Sequence, residues 1–417
     1  MSSLLRQTTV EQLLARQRSS LDLETQRVAQ DIVEDVRLRG EQAVREHSER
    51  LGDRLTGDTV RVPREDLDAA LRELPAEQRE LLERTALRIT AFAQAQRACL
   101  LPLATEVPGG RAGHRWLPVA SVGAYAPGGR HPLPSSVLMT VIPAQVAGVA
   151  NIVVASPNPT QVTLAAAALA GASSLLAIGG AQAIAALTFG VFDTPADVVV
   201  GPGNRWVTAA KKHLVGEVGI DSLAGPSELL VLADSYADAA TIAADLLGQA
   251  EHDDDAVPIL VTTSAALIDA VERELALQLQ TLPTAATATA SLRGNGAAIL
   301  VADLAEAVQV TNRLAPEHLE LCVQAPDDLR EQLTAYGSLF VGAKSAEVFG
   351  DYGAGPNHVL PTGGGSRFQA GLSVLTFLRP LTFLELQDPS LLRGDAAMLA
   401  RLEGLEGHAR SAEQRGM

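Results

Sequence analysis

Lysine is scarce in this chain, and its scarcity excludes one common kind of nucleotide site. The 417 residues hold lysine only as Lys211, Lys212 and Lys344. No Gly-Lys-Ser or Gly-Lys-Thr sequence occurs, so a phosphate-binding loop of the Walker type is excluded. The adjacent Lys211 and Lys212 are typical of a solvated helix face, and we do not expect them to clamp a substrate.

Cysteine is rarer still, and this limits the cellular compartment. Cys99 and Cys322 cannot form a disulfide framework, which fits a reducing compartment. Residues 1–20 lack the apolar run that a signal peptide needs. We therefore expect a cytoplasmic protein. Cys322 lies within an apolar alternation, which favours a core residue over a nucleophile.

Positive charge is in deficit, which restricts the partners that the protein accepts. The chain has 33 Lys and Arg against 49 Asp and Glu, a net charge of −16. Nucleic acid calls for a basic surface, so no nucleic-acid partner is expected. A hydrophobic fraction of 47% and a charged fraction of 20% are typical of a soluble globular protein, long enough here for two or three domains.

Charged side chains are missing altogether from residues 132–192, and residues 162–192 are long enough to span a bilayer. Glycines interrupt this stretch, and alanine supplies much of its apolarity. A helix–strand–helix pattern over Gln161–Ala170, Ser174–Ile178 and Ala181–Phe189 fits it better. We interpret it as a buried α/β layer or a subunit interface, and we expect no membrane contact.

Short β-branched runs alternate with helical segments from Val119 onward, after a helical N-terminal region that includes Asp22–Arg39 and Pro75–Gln96. The predicted strands form two series: first Val119–Tyr125, Asn151–Ala155, Ser174–Ile178 and Asp197–Val200, then Glu228–Ala233, Val257–Thr262, Ala297–Val301, His318–Val323 and Ser338–Val341. Strands that alternate with helices predict parallel, doubly wound sheets. The sequence thus predicts the α/β class, with two such units and a helical, partly extended tail after Ser366.

Three glycine-rich turns follow predicted strands: Tyr125-Ala-Pro-Gly-Gly129, Gly179-Gly-Ala-Gln182 and Gly201-Pro-Gly-Asn204. In open α/β sheets, ligands bind beyond the carboxyl ends of strands, where backbone N–H groups accept phosphates. None of the turns matches the Gly-x-Gly-x-x-Gly fingerprint of dinucleotide sites, because Trp206 stands at the third glycine position. The pattern alone leaves phosphate binding and ordinary tight turns equally open.

Polar clusters carry the candidate chemistry: Gln249–His252, Glu317–His318, Asp351–His358 and Glu403–His408. Ile242, Leu246 and Gln249 recur at the spacing of a buried helix stripe, so Gln249 is expected to point inward, with His252 beside it. Unpaired buried polar groups are costly, so the two pair with each other or bind a metal ion or polar ligand. Gln, His and Asp ligands suit Zn²⁺ or Mn²⁺.

Glu317 and His318 follow Pro316 and open a predicted strand. At a strand mouth an acid and an imidazole can both reach one cleft and share proton transfers. A solvated or structural pair is the alternative that the residues themselves leave open.

Taken in order, these segments resemble the histidinol dehydrogenase family. The matching motifs are Gly201-Pro-Gly-Asn204 with Lys211, Ala224-Gly-Pro-Ser-Glu228, Gln249-Ala-Glu-His252, Ala315-Pro-Glu-His-Leu319, Gly350-Asp-Tyr352, Gly355-Pro-Asn-His-Val-Leu-Pro-Thr362, Gly371-Leu-Ser-Val374 and Leu402-Glu-Gly-Leu405 before His408. The resemblance implies NAD-dependent oxidation of L-histidinol to L-histidine through L-histidinal, in histidine biosynthesis.

The resemblance also implies roles for individual residues. The catalytic residues would be His318, as the general base, and Glu317, as the group that activates water. One Zn²⁺ per subunit would be held by Gln249, His252, Asp351 and His408. Those ligands and His318 would meet the substrate together with Ser227, His358 and Glu403. Tyr125, Gln182 and Asn204 match the positions that contact NAD.

Finally, the resemblance implies an intertwined homodimer with shared active sites. Residues 1–118 would be a helical region that joins the second α/β domain. Residues 119–229 and 230–366 would be two incomplete Rossmann-like domains, the first binding NAD and the second carrying most metal and catalytic residues. Residues 367–417 would be a tail exchanged with the partner subunit, which brings Glu403 and His408 to its site.

Three rival functions stay open at this point. One is a dehydrogenase of the same fold that oxidises another small alcohol, such as a sulfonated diol. Another is a zinc hydrolase, which would use metal-bound water and no NAD. The third is a non-catalytic scaffold, against which the intact Glu317 and His318 count.

Overall fold

Two six-stranded sheets, covered by helices, organise the protein in the computed structural model, which describes residues 3–15, 21–53, 57–128 and 132–415. The strands are β1 (Arg6–Gln7), β2 (Arg61–Pro63), β3 (Leu103–Val107), β4 (Gly110–Pro118), β5 (Ser121–Tyr125), β6 (Asn151–Ala155), β7 (Ser174–Leu176), β8 (Val198–Val200), β9 (Gly219–Ile220), β10 (Glu228–Ala233), β11 (Val257–Thr262), β12 (Ala297–Leu300), β13 (His318–Cys322), β14 (Ser338–Val341) and β15 (Leu378–Leu386).

The α-helices pack on both faces of these sheets. They are α1 (Val10–Leu14), α2 (Leu23–Arg39), α3 (Glu41–Leu51), α4 (Arg64–Glu73), α5 (Ala76–Ala98), α6 (Pro134–Ala147), α7 (Gln161–Ala170), α8 (Gly180–Phe189), α9 (Arg205–Leu214), α10 (Ala239–Ala250), α11 (Ala265–Gln278), α12 (Ala285–Asn295), α13 (Leu304–Leu314), α14 (Asp327–Arg330), α15 (Glu347–Asp351), α16 (Ser390–Leu402) and α17 (Glu406–Glu413).

The first sheet has the order β2-β7-β6-β5-β8-β9 and is parallel except for the edge strand β2. Alternate residues of its strands enter different cores, as expected for a sheet buried on both faces. Ile152 and Val154 of β6 pack in the core under α4 to α7, whereas Val153 and Ala155 pack in the core under α2, α3, α8 and α9. The two cores make this unit doubly wound.

The second sheet has the order β1-β12-β11-β10-β13-β14 and is parallel throughout. Helices α10 to α12 cover one face and α1 and α13 the other. In this register Leu229 of β10 lies opposite His318 of β13, so the two strands begin side by side at the same end of the sheet. The predicted α/β class with parallel sheets is confirmed.

A third, antiparallel sheet with the order β15-β4-β3 was not predicted from the sequence. Strand β15 pairs with β4 along its whole length, from Leu378 opposite Pro118 to Leu386 opposite Gly110. Helices α16 and α17 follow β15 and pack against each other through a small alanine cluster. Many of their larger apolar side chains are exposed: Leu391, Met398, Leu399, Leu402 and Leu405.

The described part of residues 1–118 divides between the two units. Strand β1 pairs with β12, and α1 packs in a core of the second sheet. Helices α2 to α5 instead contact α6 to α9 of the first unit, because the apolar stripes of α2 and α5 face the apolar helices of the charge-free stretch. The predicted tail also starts inside the first unit, since Leu372, Val374 and Phe377 are buried in its core.

The charge-free stretch forms the helix–strand–helix pattern predicted for it, with α7, β7 and α8 close to the expected bounds. Its helices are buried almost all round, as in the continuous alanine run of α7. Among the described residues, no helix combines the length and apolarity needed to cross a bilayer.

Candidate active site

The carboxyl end of the first sheet and the amino end of the second sheet face one cleft of about 1750 Å³. From the first unit, Tyr125 and the turn 201–204 line it. From the second unit come most of the predicted metal and catalytic residues: Gln249, His252, Glu317, His318, Asp351 and His358. Ser227 lines the cleft on the segment that connects the two units. The structure therefore brings these side chains together from segments far apart in sequence.

The backbone of Glu228, at the start of β10, holds both members of the predicted catalytic pair. Its N–H donates to Oε2 of Glu317 at 2.9 Å, and its carbonyl oxygen lies 3.1 Å from Nδ1 of His318. A carbonyl only accepts, so Nδ1 of His318 carries the proton. The other ring nitrogen, Nε2, then keeps its lone pair. It is buried and has no hydrogen-bond partner among the described residues.

Burial sets the protonation of this pair. It lowers the pKa of His318 to about 3, with the nearby His358 and His252 adding to the effect. The imidazole is thus neutral at neutral pH, as a proton acceptor must be. Burial also raises the pKa of Glu317 well above its ordinary value, to which the charges of Glu228 and Asp351 contribute. Such opposed shifts within one cleft are typical of functional sites.

Gln249 is the clearest sign that the cleft accepts a ligand. Its side chain is fully buried at the end of α10, yet neither its Oε1 nor its Nε2 has a partner among the described residues. The sequence analysis left a pair with His252 open, and these orphaned atoms do not support it. Because unpaired buried amides are costly, a bound group must satisfy them.

Asp351 lies between the histidines of the cleft. Its Oδ2 is 3.7 Å from Nε2 of His252, and its Oδ1 is 3.7 Å from Nε2 of His318. Its carbonyl oxygen accepts from Nδ1 of His358 at 3.0 Å, which leaves Nε2 of His358 as the acceptor nitrogen. Burial raises the pKa of Asp351 to about 7. A cation among these groups would favour the ionised carboxylate.

Glu347 is a site residue that the sequence analysis missed. It is buried at the start of α15, with Oε1 3.5 Å from Nδ1 of His318. Ligand atoms of His252, Glu347 and Asp351 all lie within 4.8 Å of one another. The available signal was its position four residues before Asp351, which places both carboxylates on one side of a helical turn.

Glu403 and His408 do not reach this cleft in the single chain. Both are exposed on the hairpin of α16 and α17, and neither lines the cavity. The metal set predicted from the resemblance therefore has three members here, Gln249, His252 and Asp351, and the fourth lies elsewhere.

The residues predicted to contact NAD differ in their access to the cleft. Asn204 begins α9, and its Oδ1 accepts from the N–H groups of Trp206 and Val207, so its exposed NH₂ group is the free end. Tyr125 lines the cleft and its hydroxyl accepts from Gly180 N–H at 3.3 Å; burial raises its pKa to about 12.

Gln182 is fully buried and does not line the cavity. Its Nε2 donates to Asp53 at 2.9 Å, while its Oε1 is among the buried oxygens without a partner in the described residues. The last residue of the first predicted turn, Gly129, lies outside the described residues.

The expected solvated face at Lys211 and Lys212 is wrong for the first of them. Lys212 is exposed, but the Lys211 side chain is only 2% exposed and forms an ion pair with Asp221 at 2.6 Å. The cause is position: Lys211 lies on the face of α9 that packs against the sheet, beside Ala210 and Leu214.

Comparison with known proteins points to one family. A family model described as histidinol dehydrogenase matches residues 14–416. A histidinol dehydrogenase of Pseudomonas savastanoi pv. phaseolicola is 43% identical over 415 residues, covering 97% of this chain and 92% of the relative. One of Ruegeria pomeroyi is 45% identical, covering 96% and 94%. A crystal structure of histidinol dehydrogenase from Elizabethkingia anophelis superposes with a TM-score of 0.92 at 31% identity, covering 100% of this chain and 98% of that one.

Proposed function

The chain belongs to the histidinol dehydrogenase family, and from this premise we propose that the cleft oxidises L-histidinol to L-histidine with two NAD⁺, through L-histidinal. Oxidation of histidinol in histidine biosynthesis is the activity of the family. The observation that carries the proposal is the buried Nε2 of His318, deprotonated and without a partner, beside Glu317 in a cleft shared by two α/β units.

In the first step, Nε2 of His318 takes the proton of the substrate hydroxyl while a hydride leaves the carbon that bears this hydroxyl and passes to NAD⁺. The alcohol becomes an aldehyde and NAD⁺ becomes NADH. The bond from Nδ1 to the Glu228 carbonyl keeps the ring oriented and supports the positive charge that the ring acquires. Release of that proton to solvent restores the base for the second step.

In the second step, Glu317 accepts a proton from the water that adds to the aldehyde. Burial alone disfavours its carboxylate form, and a cation bound at Asp351 and His252 would restore that form. One oxygen of Glu317, Oε2, is already held by Glu228 N–H, so Oε1 is the acceptor. Glu317 returns that proton to the former aldehyde oxygen, and the resulting hydrate has a hydroxyl and a hydrogen on one carbon, as the alcohol had. His318 then removes the hydroxyl proton while the second hydride reduces another NAD⁺, and the product is a carboxylic acid.

The residues present fit a divalent metal ion. The orphaned amide of Gln249, the nitrogen of His252 and the carboxylate of Asp351 offer the nitrogen and oxygen donors that suit Zn²⁺, and Mn²⁺ fits them as well. We assign Zn²⁺ to this site, where it would grip the imidazole and amino nitrogens of histidinol. Ser227 and His358 line the same space and would contact the substrate directly. Binding in this way would fix the orientation of the carbon that is oxidised.

NAD⁺ would lie against the first unit. The turn 201–204 and Tyr125 line that side of the cleft, where glycines let the backbone approach a phosphate. Asn204 offers its free NH₂ group, whereas Gln182 is fully buried outside the cleft lining and has no direct contact with NAD⁺ in this proposal. Both cysteines are free thiols, and we place the reaction in the reducing cytoplasm.

A homodimer would complete the site. Glu403 and His408 are exposed on a hairpin whose leucines are also exposed, as expected of a surface that packs against another chain. We propose that the hairpin crosses to the partner subunit, where His408 supplies the fourth metal ligand and Glu403 contacts the substrate.

The primary test is the stoichiometry of NADH formation with L-histidinol. Two NADH per histidinol, lost when a chelator removes the metal and restored by Zn²⁺, is the expected result. Metal-replete protein that forms no NADH from histidinol would contradict the proposal. NADH from another small alcohol alone would reassign the substrate, and product without NADH would indicate a hydrolase.

The shared site is tested by mixing two inactive variants, His318→Asn and His408→Asn, after unfolding them together and refolding. If the hairpin crosses, a mixed dimer has one site with both residues intact, so activity returns. If each chain uses its own hairpin, every site in the mixture lacks one residue and the mixture stays inactive.

A further inference from the structure

The buried ion pair of Lys211 and Asp221 lies behind the glycine turn of the first unit, and neither residue has a part in the chemistry above. Both side chains are almost fully buried, 2% and 3% exposed. Lys211 is one of the largest fully buried side chains among the described residues and does not line the cleft, whereas Asp221 lies at its edge. Burying two charges is expensive, so a pair of this kind calls for a reason beyond stability.

The contacts of the pair converge on a single residue, Gly201. Nζ of Lys211 donates to the Gly201 carbonyl oxygen at 2.6 Å, and Oδ2 of Asp221 accepts from Gly201 N–H at 2.6 Å. The remaining oxygen of Asp221, Oδ1, accepts from Lys211 and from Ser222 N–H. The N–H and the carbonyl oxygen of Gly201 are thus both held. The Lys211 nitrogen and both Asp221 carboxylate oxygens each have a hydrogen-bond partner.

Gly201 adopts a conformation that leaves no room for a side chain. Its φ is +110°, and a Cβ placed on it would lie 2.0 Å from the carbonyl oxygen of Tyr125. The clamp therefore holds the backbone against Tyr125 and turns it toward Asn204, where α9 begins. Gly201, Asn204 and Tyr125 all line the cleft.

Asp221 also begins the segment that connects the two units. This segment, residues 221–228, is held by Thr208, whose hydroxyl donates to the Ala224 carbonyl oxygen at 2.7 Å. It ends at Glu228, whose backbone holds Glu317 and His318. The clamp therefore links the glycine turn, through residues 221–228, to the backbone of Glu228, which orients Glu317 and His318.

We propose that Lys211 and Asp221 are positioning residues for the dinucleotide: they fix the turn 201–204 relative to the catalytic pair without either charge serving in proton transfer. The inference rests on the proposed function, because the turn matters only if NAD⁺ binds there. Loss of the clamp weakens the binding of NAD⁺ and NADH while the metal and histidinol side of the cleft is retained.

Asp221→Asn is the sharpest variant because it keeps the size of the side chain. Asn has one acceptor oxygen where Asp has two, so either Lys211 or Gly201 N–H loses its partner. Its matched control is Asp197→Asn. Asp197 lies at the opposite end of β8, is exposed, and likewise accepts from two backbone groups, Ala120 N–H at 2.7 Å and Ser121 N–H at 3.1 Å.

We expect Asp221→Asn to raise the NADH dissociation constant and the KM for NAD⁺ about tenfold, the scale of one lost hydrogen bond to a charged group. At saturating NAD⁺, kcat, the KM for histidinol and the zinc content should each stay within about twofold of wild type, because the clamp does not contact the metal and histidinol side of the cleft. A twofold change is smaller than the effect of one lost hydrogen bond. Asp197→Asn should leave the NADH dissociation constant unchanged.

Wild-type NADH affinity in Asp221→Asn would overturn the inference, and so would a parallel loss of NADH and zinc binding, which would indicate a general structural role. If that variant does not fold, Lys211→Met with Asp221→Asn carries the same expectations, because it leaves no unpaired buried charge. Failure of the wild-type protein to bind NADH would instead refute the proposed function.

Discussion

The two α/β units present opposite ends of their parallel sheets to the cleft, the carboxyl end in the first unit and the amino end in the second. They also line it with different kinds of group. The first unit offers backbone: a glycine turn at residues 201–204, the start of α9, and Tyr125, with a charge-free stretch behind them. The second unit offers titratable side chains on β13 and α15, namely Glu317, His318, Glu320, Glu347 and Asp351.

This difference matches the ligand that we propose for each unit. Backbone N–H groups suit phosphates, whose charge is fixed, so that side of the cleft needs close approach and no titration. Proton transfer and metal binding need groups that change charge, and burying them is costly. The cost shows in the second unit, where burial raises the pKa of Glu320 to about 8, with Asp245 adding to the effect.

The largest expected effect is that of His318→Asn, which removes the base from the titratable side. Asn can still donate to the Glu228 carbonyl, so the loss is one of proton transfer, and we expect kcat to fall about 10³-fold. Zinc content and NADH affinity should stay at wild-type values. The control is His213→Asn, a change on the outer face of α9, where the histidine contacts Glu34 at 3.0 Å. Loss of zinc in His318→Asn would show that a metal ligand was mistaken for a base.

Gln249→Met tests whether the amide that would bind the metal lowers the stability of the metal-free second unit. The variant replaces a buried, unpartnered amide with an apolar side chain of similar shape. We expect the metal-free protein to become more stable, by about 1–3 kcal/mol, and zinc affinity to fall at least about tenfold. Denaturant unfolding in chelator and a zinc titration measure the two. The control, Gln278→Met, removes an amide that donates to the Ala240 carbonyl and should leave zinc affinity intact. Unchanged zinc affinity in Gln249→Met would remove Gln249 from the metal site.

Gly201→Ala tests the backbone side. The added Cβ would meet the Tyr125 carbonyl oxygen and φ is positive, so the turn must move, and we expect the KM for NAD⁺ to rise about tenfold, on the scale of one displaced contact. Gly216→Ala is its control: φ there is +101° but no atom lies within 4 Å of the added Cβ. It should lose only stability, about 1–3 kcal/mol, from backbone strain. Equal effects on KM in both variants would mean that the glycine turn does not bind the dinucleotide.

The smallest effect is expected outside the cleft, at the exposed pair of Arg37 and Glu217. Nη2 of Arg37 donates to Glu217 at 2.7 Å and holds the pKa of that carboxyl below its ordinary value. The pair's contribution is therefore present at neutral pH and is lost as the pH falls through the lowered pKa. Solvent screens exposed pairs, so Glu217→Gln should melt close to wild type with unchanged kinetics. A large change in the KM for NAD⁺ would mean that α2 supports the dinucleotide side.

The sequence predicted the elements whose signals are local. Strands β10 and β11 have the expected bounds, since apolar runs of that length between helical segments admit few other structures. Helices α2 and α10 follow the caps Asp22 and Asp238. The sheet of β3, β4 and β15 was not predicted because most residues of β3 and β15 are exposed, and because β15 joins β4 from more than 250 residues away, so the apolar pattern does not reveal it.

Of the site, the sequence identified the polar clusters but could not show which of them meet. Gln249, His252, Glu317, His318 and Asp351 converge in the single chain. Glu403 and His408 were assigned by resemblance alone, and they stay a proposal that depends on a second chain. The sequence did not distinguish the buried Lys211 from the exposed Lys212 beside it, because tertiary packing decides which side of α9 faces the sheet.

The pairing of β1 with β12 has a consequence for the order in which the chain can fold. The two strands lie about 290 residues apart, so at about 5–20 residues per second the first waits roughly 15–60 s for its partner to be synthesised. Until then β1 has no strand to pair with. We therefore expect an extension fused to the N-terminus to slow the folding of the second unit, which carries the titratable groups. The helices that follow β1 and α1 in sequence cover the first unit instead.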